Sequence, residues 1–181
     1  MTRALRVAVG RTLAAGLVLL AAAAAGCAPG AFERDERVRF LAPPAGADVT
    51  LPLLVRWSVD PARFRASGFD GSRGERRGLY AVFVDSAPLR PGRHLDTLAE
   101  HDVVCRASPG CPDRTWLADH GVYLTTSPEL ALRGLPRDRG RRAGGGRRRH
   151  EVTVVLLDGR GVRIGEGAWT RSFYLREEGG Q

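Results

Sequence analysis

An antiparallel β-sandwich is the architecture to expect from this chain, and three features carry that expectation. About seven short runs are rich in β-branched and aromatic residues, Gly, Pro and Asp stand at most of their junctions, and no amphipathic helical pattern exceeds about two turns. The first run covers residues 37 to 42 and stops at Pro43 and Pro44. In the second, residues 51 to 59, Leu53, Val55, Trp57 and Val59 alternate with Leu54, Arg56 and Ser58, the period of a half-buried strand. The third, residues 79 to 85, is almost continuously apolar, as a central strand covered on both faces is. Residues 121 to 126 and 129 to 135 are weaker candidates. Residues 150 to 157 lead through Asp158, Gly159, Arg160 and Gly161 into 162 to 164, and Asp-Gly between β-rich runs marks a hairpin. The last run, 168 to 176, mixes Trp169, Ser172 and Tyr174 with Phe173 and Leu175, so its pattern leaves the buried face open. Leu95, Leu98 and Ala99, and again Trp116 and Leu117, suit single helical turns.

The order of these features resembles fibronectin type III and bacterial immunoglobulin-like domains. The stretch from Val38 past Pro43, Pro44, Ala45, Gly46 and Ala47 to Leu54, Val55, Arg56 and Trp57 looks like their first two strands, with a Trp on the second. The hairpin at Asp158 and Gly159 looks like their last two. The resemblance covers residues 37 to 176 and implies an all-β, antiparallel immunoglobulin/fibronectin III-like β-sandwich. Cys105 and Cys111 are too close in sequence to be the inter-sheet pair of antibody-type domains. Residues 86 to 119 are long for a sandwich loop, which makes them an insertion, and loops carry function more often than strands do.

The amino-terminal segment has its own pattern. Arg3, Arg6 and Arg11 precede a 14-residue uncharged stretch from Thr12 to Ala25, short of the roughly 20 residues that a spanning helix needs and suited to a signal core. It ends in Ala24, Ala25, Gly26 and Cys27, which resembles the lipobox of bacterial lipoproteins, with Ala24 where Leu is more usual. The resemblance implies removal of residues 1 to 26 and acyl chains, palmitate among them, carried on a diacylglycerol thioether-linked to the thiol of Cys27. Two or more such chains form a stable anchor, whereas an ordinary signal peptide would leave Cys27 incidental. Residues 27 to 36 read as a lipidated tether and 177 to 181 as a disordered tail.

Export changes the reading of the other cysteines. In an oxidising compartment Cys105 and Cys111 can close a small loop around Ser108, Pro109 and Gly110, so a disulfide is expected inside the insertion. The spacing fits neither a Cys-x-x-Cys redox motif nor a four-ligand zinc site.

The formal charge of +8 falls to +5 once the three signal arginines leave. Seven arginines against Asp138 in residues 137 to 149 hold a local +6, so the rest of the mature chain is about neutral. A nucleic-acid binder spreads its cations along a face, and here they form one segment, so no nucleic-acid partner is expected. The segment is expected to be a solvated Arg/Gly-rich loop, with contact to an acidic partner as its functional reading. Every basic residue is Arg, and without Asn there is no N-glycosylation site.

No catalytic motif emerges. His94, His101, His120 and His150 have no metal-ligand spacing, there is no Gly-x-Ser-x-Gly elbow, and Gly144 to Gly146 lack the ending of a phosphate loop. Catalytic residues, metal and cofactors are therefore expected to be none. The expected function is a non-catalytic binding or scaffolding role at the cell membrane or outer membrane, on the extracytoplasmic side, toward an envelope protein or polysaccharide. A carbohydrate- or anionic-lipid-binding module would use Trp116, Tyr123, Arg141, Arg142, Arg147, Arg148 and Arg149. An envelope hydrolase or metal-dependent enzyme would use the insertion.

Overall fold

The computed structural model describes residues 37–135, 140–144 and 146–176. The signal segment, Cys27, the tether, the tail, and Arg137, Asp138 and Arg139 lie outside the described residues. Strands β1 (Val38–Ala42), β3 (Leu53–Val59) and β7 (Glu129–Leu132) form a three-stranded sheet in the order β1-β3-β7. The larger sheet runs β2 (Asp48–Val49), β10 (Arg163–Arg176), β9 (Arg147–Asp158), β5 (Arg77–Val84), β4 (Arg65–Ala66). To it are added β6 (Val122–Thr125), paired with β5, and β8 (Arg141–Ala143), paired with β9. The protein is thus mostly β, with two sheets, as the alternation of its runs predicts, but not wholly antiparallel: β2 pairs with β10 and β4 with β5 in parallel.

Alternation fixes what packs where. Leu53, Val55 and Trp57 face Tyr80, Val82, Val84, Val152, Val154, Leu156 and Phe173 across the gap between the sheets. Trp57 meets Tyr80 edge to face, with ring centroids 5.3 Å apart. In the last run Phe173 is fully buried inward, while Ser172 and Tyr174 alternate outward.

The opposite face of β5 and β9 is also covered. Leu79, Ala81, Phe83, Val155 and Leu157 pack under Leu89, Leu95 and Leu117 of the insertion. This explains why the third run is continuously apolar. The insertion carries a 3-10 helix (Leu95–Ala99), α1 (Val103–Ala107) and α2 (Arg114–Asp119), capped by His94, Asp102 and Asp113. The Cys105–Cys111 disulfide closes the chain between α1 and α2, with Cα atoms 5.3 Å apart. Arg163, buried beneath the insertion, donates to the carbonyls of Leu89, Glu166 and Gly167 and so ties the insertion to β10. Burial lowers its pKa and the nearby Glu166 charge opposes that shift.

The Asp158 turn forms for a local reason. Its side chain accepts from the N–H groups of Arg160 and Val162, each at 2.9 Å, which mimics a backbone turn, and Gly161 takes the positive φ of 88°.

Candidate functional site

The segment expected to be a solvated arginine loop is a correction to the sequence reading. Arg141–Ala143 is a strand, and β9 begins at Arg147 rather than at His150. The two form a hairpin with Arg141 opposite Arg149, Arg142 opposite Arg148 and Ala143 opposite Arg147. On its other edge β9 pairs with β10, which sets Tyr174 opposite Arg149 and Arg176 opposite Arg147. Tertiary pairing with β10 therefore overrides the repulsion and the glycines that argue for a loop.

Parity along β9 decides which arginines share a face. His150, Val152 and Val154 point inward, and Val155 and Leu157 point to the face under the insertion. Arg147 and Arg149 belong to the latter face, beyond the insertion's cover, and their cross-strand partners Arg141, Tyr174 and Arg176 lie on it too. Two adjacent rungs, Arg141-Arg149-Tyr174 and Ala143-Arg147-Arg176, thus collect four arginines beside an aromatic ring. Same-face rungs lie about 7 Å apart and neighbouring strands about 5 Å, so the four side chains rise from one patch a few oxyanions wide.

Two carboxylates border the patch. Arg147 reaches Asp48 at 3.4 Å and lies over the Tyr174 ring at 5.0 Å, and Arg149 reaches Glu151 at 3.8 Å. Exposed pairs of this kind contribute about 0 to 1 kcal/mol, so they leave the arginines available to a stronger anionic ligand. Arg142 and Arg148 point to the inner side, where Arg148 donates to the Gly140 carbonyl.

A buried hydrogen bond between Asp85 and His150 seats this hairpin. Asp85 follows β5 with φ 51°, and its carboxylate accepts from the Glu151 N–H at 2.8 Å and from His150 Nδ1 at 2.6 Å. The imidazole is 1% exposed and stacks on Phe173. Its other face meets Gly140, where an added Cβ would sit 2.8 Å from Nε2. Of the four histidines without metal-ligand spacing, His150 is a core residue. The Asp-His geometry is that of a general-base pair, yet Nε2 is buried, closed off from solvent and from a substrate. The pair fastens the hairpin to the end of β5.

The remaining candidates separate. Trp116 donates its indole N–H to Asp102 at 2.9 Å and stacks on His120, packed against the cluster beneath the insertion. That bond and the Cys105 N–H, the larger cause, hold the Asp102 carboxyl below the usual carboxylate range. Tyr123 stands opposite Val82 and packs on the inter-sheet side. Trp116 and Tyr123 therefore lie on opposite faces of the sheet and share no site with each other. Among the described residues no three His, Cys, Asp or Glu gather as a metal site, and no helix is long and apolar enough to cross a membrane. A groove of about 490 Å³ opens between β3 and β4, floored by the buried Trp57, Phe64 and Tyr80. Burial raises the Tyr80 pKa.

Sequence reasoning missed Arg176, Tyr174, Asp85 and Gly140 as parts of this constellation. Comparison with protein-family models, curated proteins and solved structures found no match.

Proposed function

We propose that this protein is a lipid-anchored, extracytoplasmic envelope lipoprotein with a non-catalytic binding role, and that it meets an acidic envelope partner through the arginine face. The observation that carries the reading is the collection of Arg141, Arg147, Arg149 and Arg176 on two adjacent rungs of one sheet face. Like charges directly opposite one another weaken a strand pair, so an anion that binds between them relieves a cost the fold otherwise bears. The immunoglobulin/fibronectin III-like assignment belongs to the same proposal. What supports it is strand order: the small sheet runs β1-β3-β7 and the larger contains β10-β9-β5, an order similar to A-B-E and G-F-C of such a sandwich.

Two measurements test the reading. Mass spectrometry of the mature protein is expected to find residues 1 to 26 removed and acyl chains at position 27, and a bare thiol overturns the anchor. Co-sedimentation of the mature chain with isolated envelope material is expected to weaken with salt and to fall in the Arg141→Gln/Arg149→Gln double variant. Equal sedimentation of variant and wild type removes the arginine face from the function.

A further inference from the structure

Resting on the proposed anion-binding role of the arginine face, we infer that this face clamps a phosphate-bearing polymer of the envelope.

Ligand chemistry follows from the rungs. Arg141 and Arg149 are directly opposed on an exposed face, with Cβ atoms about 5 Å apart in such pairs. Two guanidinium forks at that spacing converge on one tetrahedral phosphate, whose oxygens lie in more than one plane, whereas a planar carboxylate is satisfied by a single fork. The second rung, Arg147 and Arg176, repeats the arrangement on neighbouring strands about 7 Å along, the scale of successive phosphates on a chain. A polymer lies across both rungs, beside Tyr174 at the end of the first.

The test uses the lipidated full-length mature protein in neutral phosphatidylcholine vesicles, with labelled long-chain inorganic polyphosphate as the probe. The proteoliposomes are expected to capture polyphosphate, about tenfold or more weakly when salt rises fourfold. Arg141→Gln/Arg149→Gln is expected to lose about tenfold in affinity, with an unchanged melting temperature or a higher one. Polyglutamate of equal length is expected to compete poorly. The proposal is overturned by absent capture, by equal capture in the double variant, by equal competition from polyglutamate, or by wild-type protein preferring phosphatidylglycerol vesicles over polyphosphate. Failure of the anchor is read separately, from the mass at Cys27. The unlipidated Cys27→Ser chain is expected to keep its polyphosphate affinity in solution, and its loss overturns the clamp.

Discussion

Asp70 lies where two turns meet. Its carboxylate accepts from the Ser72 hydroxyl, from the Ser72 N–H at 2.9 Å and from the Ser67 hydroxyl at 2.8 Å, and the Arg77 guanidinium is 3.9 Å away. These bonds, the Ser72 hydroxyl first, hold its pKa down to about 2. In the unfolded chain the group titrates near 3.9, so between those values the unfolded state binds more protons and stability rises with pH. The contribution of Asp70 is complete above about pH 4 and is lost as pH falls toward about 2. Asp70→Asn is therefore expected to flatten the fall in urea midpoint across that window, and an unchanged acid limb would show that the turn does not hold the carboxylate. Residues 67 to 72 stand close to Gly159, where a Cβ would strike the Asp70 carboxylate and Ser72. An Asp-Gly pair is visible in sequence as a turn, but its docking on another turn some ninety residues earlier is not, because nothing local encodes it.

At the scale of elements, the β8–β9 hairpin carries opposed demands. Its seat is apolar and tight, with Gly140 over the His150 ring and Phe173 beneath. Gly140→Ala inserts a methyl where no space exists, and overpacking of this kind costs about 1 to 3 kcal/mol. The expected result is a lower urea midpoint together with weaker polyphosphate binding, since the hairpin must reseat. Its rim is repulsive, and Arg141→Glu replaces a like-charge pair by an attractive one. Stability is expected to rise by about 0.2 to 1 kcal/mol while anion binding falls, and a fall in both would mean that Arg141 supports the fold rather than the ligand. Strands with a clean period, such as Leu53, Val55 and Trp57, were legible because alternation is a local signal. This hairpin was not, because two facing pairs of arginines and a glycine run read as solvated chain. Arg176 was hidden by a bulge: the residues between Ile164 and Trp169 shift the β9–β10 register, so counting outward from the Asp158 turn pairs the wrong residues. Asp85 and His150 lie 65 positions apart, and only the pairing of β5 with β9 brings them together.

The whole molecule is organised by two strands that belong to both cores. Tyr80, Val82 and Val84 of β5 face the three-stranded sheet, and Leu79, Ala81 and Phe83 face the insertion; β9 divides its residues in the same way. Covering Leu79, Phe83, Val155 and Leu157 contributes about 6 to 12 kcal/mol as an upper bound, at about 1.5 to 3 kcal/mol per side chain. That is comparable with the whole stability of a domain, about 5 to 15 kcal/mol, so the insertion cannot lift away while the sandwich remains folded. The disulfide and the Arg163 contacts to Leu89 and the β10 bulge hold the same cover in place. Unfolding is therefore expected to be one cooperative transition. Variants that keep a single tryptophan test this, with Trp57 reporting the inter-sheet core and Trp116 the insertion. Their urea midpoints are expected to coincide once each is compared with far-ultraviolet circular dichroism of the same variant. An earlier Trp116 transition would mean that the insertion melts as a separate lid, and the doubly covered strands would then be held by the three-stranded sheet alone.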